Sequence, residues 1–223
     1  MLYESMAWAC LFLSKGIPVP LHWNSVSSTL FFDIQRAKYK RLKSIDMRKI
    51  KVYIAASLDG YIARPDGDLD WFTEFPNPTK ENYGYNEMLT SVDTVIMGGR
   101  TYHELSCMDI LWPYKDKLTY VVSRKTMNLS GNGELIKENI IEKISELRDK
   151  DGKDIWIAGG GRLIALLLNA GLIDELQICY IPIILGTGIP LFPDNSLQES
   201  NCELTENVAY NSGVIRLNYR IIK

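Results

Sequence analysis

Three times in this chain a β-rich run ends on small or polar residues. Val95-Ile-Met97 runs into Gly98-Gly-Arg-Thr101, Tyr120-Val-Val122 into Ser123-Arg124, and Ile155-Trp-Ile-Ala158 into Gly159-Gly-Gly161. Around these junctions strand-like and helix-like segments alternate from Met47 onward, the pattern of an α/β domain with a mostly parallel sheet. Strands are expected at 50–56, 93–97, 117–122, 154–158 and 175–184, and helices at 83–91, 140–150 and 162–169. A terminal hairpin is expected from Cys202, turning at Asn211-Ser-Gly213. Arg64-Pro-Asp-Gly-Asp-Leu-Asp-Trp71 has the composition of a loop and closes on a large aromatic.

Ligands of open α/β sheets bind at the carboxyl ends of the strands, where a helix N-terminus offers unpaired N–H groups and partial positive charge to a phosphate. Two such termini are suited to one pyrophosphate. Gly98, Gly99, Gly159, Gly160 and Gly161 let backbone approach the ligand, and Thr101 adds a hydroxyl. Ser123, Arg124 and Arg100 supply a hydroxyl and guanidinium forks, groups that suit a 2′-phosphate and so select NADPH over NADH. Arg162 stands at the third junction. Plain turn geometry explains any one glycine pair; the repetition carries the reading.

Composition narrows the alternatives. A net charge of −2 gives no basic stripe for nucleic acid. Four scattered cysteines without a C-x-x-C, and only two histidines, suggest neither a metal site nor a disulfide framework, which fits a reducing cytoplasm. Residues 1–46 differ from the remainder, with six Lys/Arg against three Asp/Glu, and their apolar run Met6–Leu13 is too short to span a bilayer. They are expected to be a poorly ordered extension or a start assigned too early, with one domain over 47–223 and no membrane association.

Val95-Ile-Met-Gly-Gly-Arg-Thr-Tyr-His-Glu-Leu105, Val121-Val-Ser-Arg124 and Ile157-Ala-Gly-Gly-Gly-Arg162 together resemble, in order, the nucleotide-binding segments of dihydrofolate reductases. Ala56-Ser-Leu-Asp-Gly-Tyr-Ile-Ala63 and Ile181-Pro-Ile-Ile-Leu-Gly-Thr-Gly-Ile-Pro-Leu-Phe192 are similar instead to the reductase half of the bacterial riboflavin-pathway deaminase/reductase. The resemblance implies a three-layer α/β/α fold with a central mixed, mostly parallel sheet and a C-terminal antiparallel hairpin. It also implies NADPH across the strand ends, a cis peptide at Gly159–Gly160, and hydride transfer to a C=N carbon of a pterin or ribosylaminopyrimidine, acting as a 5-amino-6-(5-phosphoribosylamino)uracil reductase-like enzyme.

The substrate side departs from both relatives. Dihydrofolate reductases place a carboxylate five residues after the loop tryptophan, where this chain has Pro76. Glu74 and Glu87 are the substitutes, against an ordinary role as solvated charges. Ala158 and Ser106–Ile110 replace the riboflavin enzymes' glutamate and D-D-P-x-L segment, and the zinc deaminase signature does not occur in these residues. Asp59 is a candidate to orient the nicotinamide or relay a proton, or else a turn residue before Gly60. Trp71 is a candidate to cover the nicotinamide, or else core. A pocket is therefore expected between Asp59, Trp71 and the region from Glu74 to Met88. The alternatives are dihydrofolate or pteridine reduction and NADPH binding without catalysis. A homodimer through the apolar helix Leu163–Leu168 and the edge at Leu185–Ile189 is also expected, although packing on the chain's own sheet explains the same residues.

Overall fold

The β-branched runs become strands because their alternate residues can be buried on opposite faces of one sheet. The computed structural model describes residues 47–107, 112–131, 133–193 and 197–223; the extension over 1–46 and the Met108–Ile110 part of the departing segment lie outside them. Met47–Lys223 forms one unit. Its strands are β1 (Ile50–Ser57), β2 (Tyr61–Ala63), β3 (Val92–Gly98), β4 (Leu118–Val122), β5 (Gly133–Ile136), β6 (Asp154–Gly159), β7 (Glu175–Ile181), β8 (Ile189–Pro190), β9 (Cys202–Ala209) and β10 (Ile215–Ile221). The helices are α1 (Asp70–Thr73), α2 (Tyr85–Ser91), α3 (Gly99–Cys107), α4 (Ile140–Arg148) and α5 (Gly161–Asn169).

Eight strands form one sheet in the order β5-β4-β3-β6-β1-β7-β10-β9, and β2 pairs with β8 in a second, two-stranded ribbon. Strands β5, β4, β3, β6, β1 and β7 run parallel; β10 is antiparallel to both β7 and β9. The sheet is therefore mixed, mostly parallel, and ends in the antiparallel hairpin. The layers follow from the alternation. Val52, Ile96, Ile155 and Ile157 are buried with Ile144 and Leu147 of α4 and Leu163, Ile164 and Leu167 of α5. On the other face Val95, Met97, Val121 and Trp156 pack with Met88 of α2 and Tyr102 of α3.

Several expectations change, among them the end of α4, which stops at Arg148 instead of 150. β7 stops at Ile181 instead of 184, because Pro182 has no N–H to extend the ladder. α2 starts at Tyr85, because Tyr83 and Gly84 take left-handed φ values of 54° and 86°. The apolar helix proposed as a partner surface is spent internally: Ile164 and Leu167 are fully buried in the core. The 185–189 edge is held by hydrogen bonds to the turn after β1 and, through Ile189, to β2, and keeps Gly186 and Thr187 exposed. Among the described residues no helix is long and apolar enough to cross a membrane.

Candidate functional site

The register of the parallel strands brings the three small-residue junctions together. In the β3–β6 ladder Met97 pairs with Gly159, and in the β3–β4 ladder Gly98 pairs with Val122, so the ends of β4, β3 and β6 lie side by side. A Cβ built on Gly98 would stand 3.5 Å from Gly160 N and 3.8 Å from Gly159 O. One on Gly160 would stand 3.8 Å from the Thr101 hydroxyl, and one on Gly99 would lie 2.9 Å from both Cβ and Oγ of Ser123. Ser123, Gly99, Gly98, Thr101 and Gly160 thus form one continuous surface with little side-chain cover. The Gly159–Gly160 peptide is cis.

Both α3 and α5 begin at this surface, and neither carries an acidic residue in its first turn. No carboxylate of the first turn neutralises the dipole, which leaves the unpaired N–H groups suited to an anion. The arginines add to this. Arg48, Arg64, Arg148, Arg216 and Arg220 all form ion pairs. Arg100, Arg124 and Arg162, the three at the junctions, are exposed and form none among the described residues. Ser123 Oγ closes its own turn, accepting from Lys125 N–H and donating to Lys125 O at 3.1 Å each. Gly161 is a packing position: its missing Cβ would collide with Pro190 O and Leu191 O at 2.5 and 2.6 Å.

The substrate-side candidates are not gathered into one pocket. Asp59 is exposed, and its carboxylate accepts from Ser57 Oγ (2.6 Å), Leu185 N–H (3.1 Å) and Gly186 N–H (2.7 Å). The Ser57 hydroxyl above all, with the two amides, holds the carboxyl below the usual carboxylate range. A proton relay at neutral pH needs the opposite shift, so the turn reading describes Asp59 better. Trp71 is only 4% exposed and packs with Cys179, Ile181, Val214, Tyr53 and Tyr83. It is core, and the space expected for a pocket beside it is filled by these side chains. Its indole N–H has no partner among the described residues. Glu74 is exposed at the end of α1 with no side-chain bond. Glu87 lines an open groove of about 670 Å³ that runs from Lys51 and Ser91 to Lys80 and Tyr210, and none of the junction glycines lines it.

Two features escaped the sequence reading. Ser57 is fully buried and links Asp59 to the chain by accepting from Tyr61 N–H at 2.9 Å; the Ser-x-Asp spacing was available as a turn signal, but its partners lie 126 and 127 residues away. Half-buried Tyr53 and buried Cys179 form a pair, the thiol donating to the phenol oxygen at 3.5 Å, and burial pushes both groups up. Nothing local distinguishes them from ordinary core residues. Among the described residues no cluster of three metal-ligating side chains occurs.

Comparison with known proteins places this geometry. The family model for the RibD C-terminal domain matches residues 48–216. YwjB of Bacillus subtilis (strain 168) is 39% identical over 146 residues, covering 65% of this chain and 83% of its own length. RibD, the riboflavin biosynthesis protein of Corynebacterium ammoniagenes, is 25% identical over 169 residues that make up 48% of it. A solved structure from Shewanella sp. PV-4, whose name places it in riboflavin biosynthesis, is 30% identical with a TM-score of 0.71, covering 78% of this chain and 99% of that one. Enterococcus faecalis dihydrofolate reductase complexed with NADP(H), 17% identical with a TM-score of 0.57 and covering 78% of this chain and 97% of its own, shares the fold. With most of its strands and all three junctions inside the matched span, the chain belongs to the RibD C-terminal domain family.

Proposed function

We propose that the chain is an NADPH-dependent reductase of a pyrimidine-type substrate, similar to 5-amino-6-(5-phosphoribosylamino)uracil reductase. The observation that carries the cofactor half is the shared surface of Gly98, Gly99, Thr101, Ser123 and Gly160, which Cβ atoms on the glycines would fill. The residues fit the dinucleotide. The N-termini of α3 and α5 would take the pyrophosphate, and Arg100 and Arg124, with Ser123, would take the 2′-phosphate; Arg162 adds positive charge at the α5 end. When bound, the nicotinamide supplies the hydride. The protein's contribution is to orient the cofactor on a backbone surface and to hold the acceptor carbon against it.

A pyrimidine is favoured over a pteridine because no described carboxylate stands ready to protonate a pterin. Position 76 is proline, Glu74 is solvated, and Glu87 lines a groove that none of the junction glycines lines. The family and the named reductase activity of a neighbour from Thermotoga maritima, 15% identical with a TM-score of 0.59, support the choice by analogy. Titration with NADPH and NADH, read by tryptophan quenching, tests the cofactor half. The expected result is at least tenfold preference for NADPH, about 1.4 kcal/mol; binding of neither overturns the reductase reading. NADPH oxidation with ribosylaminopyrimidine substrates then tests the acceptor, and binding without turnover on any pyrimidine or pteridine leaves a cofactor-binding protein.

A further inference from the structure

The turn after β1 grips the segment between β7 and β9 at several points. Leu58 N–H donates to Ile183 O at 2.9 Å, the Asp59 carboxylate takes the N–H groups of Leu185 and Gly186, and Gly60 O accepts from Leu191 N–H at 2.8 Å. Gly188 lies so close to β2 that a Cβ there would be 2.4 Å from Ala63 O. At its far end the same segment forms a shelf: the carbonyls of Pro190 and Leu191 bear directly on Gly161, the first residue of α5. Leu191 is 2% exposed and anchored in the core beside α5. One short strap thus runs from Asp59 to the helix N-terminus beside the Gly159–Gly160 junction.

We propose that Asp59 is a positioning residue for the cofactor cradle: it pins the 183–191 strap and thereby seats the N-terminus of α5 where the pyrophosphate is read. The proposal rests on reading that cradle as a dinucleotide site. A carboxylate suits the role because it accepts several hydrogen bonds at once, whereas an amide oxygen of the same shape leaves one N–H facing an NH₂ group. The charge also makes each bond stronger than its neutral counterpart. The consequence reaches the cofactor through backbone, since Gly161 has no side chain that could yield to a shifted shelf.

The test uses the full chain with Asp59→Asn. Amide exchange is expected to accelerate at Leu185 and Gly186, and also at Leu163 and Ile164, whose N–H groups bond Gly160 O at 3.0 and 3.2 Å at the start of α5. NADPH and NADH should weaken together, each about tenfold, because the strap bears on the pyrophosphate end and leaves the Ser123–Arg124 turn unchanged. Ser57→Ala, which removes one donor to the carboxylate, is expected to show the same pattern to a smaller degree and serves if the first variant folds poorly. Faster exchange confined to Leu185 and Gly186 with unchanged cofactor affinity overturns the proposal, as does loss of NADPH preference alone. If the wild-type protein binds neither cofactor, the reductase reading fails, and exchange at Leu163 and Ile164 still decides whether the strap seats the helix.

Discussion

At Asp59 the sign of the linkage is set by a lowered pKa. The Ser57 hydroxyl and the Leu185 and Gly186 amides favour the carboxylate, so its folded value lies below the ordinary 3.8. Its contribution to stability is present above the unfolded value and is lost only as the pH falls through the folded one. The carboxyl should therefore titrate below 3.8 when followed by NMR; a midpoint near neutrality would return it to candidacy as a proton donor. The glycines separate cofactor effects from folding effects in the same way. Gly98→Ala places a methyl at ordinary contact distance, 3.5 Å from Gly160 N and 3.8 Å from Gly159 O, so NADPH affinity should fall about tenfold with little change in melting temperature. Gly161→Ala drives a methyl into two backbone carbonyls that cannot rotate away. Overpacking of that kind costs roughly 3 kcal/mol, or about 6–12 °C in a domain of this size, readable by calorimetry.

Among the elements, the amino ends of β1, β3 and β6 are tied by one buried cation. Arg48, 5% exposed, bonds Asp93, Thr94 Oγ1 and the carbonyls of Lys153 and Leu147, and Asp93 also accepts Lys153 N–H at 2.8 Å. Arg48→Ala leaves those acceptors unanswered and should cost about 3 kcal/mol, whereas the paired change Arg48→Met with Asp93→Asn should cost less, as denaturant melts can establish. This clasp was not legible from sequence, since an arginine directly after Met47 and just ahead of β1 reads as a surface charge. The long elements were legible because their burial is a continuous local run: Thr94 to Met97 of β3 are all buried, as are six of the nine residues of α5. The three-residue β2, two-residue β8, four-residue β5 and one-turn α1 carry too few residues for a period to register. Their pairing is fixed by partners distant in sequence, such as Ala63 with Ile189.

For the whole molecule the two halves of the site differ in legibility for one physical reason. The proposed cofactor cradle is made of backbone at strand ends, and backbone exposure is written locally as glycine, serine and threonine. The side expected to hold substrate depends on which side chains fill the space beside β1 and β7, and the packing of Trp71 with Tyr53, Tyr83 and Cys179 is a tertiary outcome that no short window contains. That difference makes cofactor linkage the sharper global prediction. A ligand that binds only the folded state stabilises it by RT ln(1 + [L]/Kd), about 2.7 kcal/mol at one hundred times Kd. For a domain of this size that is a rise of roughly 5–11 °C in melting temperature. NADH at the same concentration, if bound tenfold more weakly, supplies about 1.4 kcal/mol and roughly half the shift. Replacing Arg100 and Arg124 together by alanine should bring the NADPH shift down to the NADH value and leave the NADH shift where it was. Equal shifts for the two cofactors in the wild-type protein would mean that the uncommitted arginines at the junctions are solvated charges with no phosphate to read.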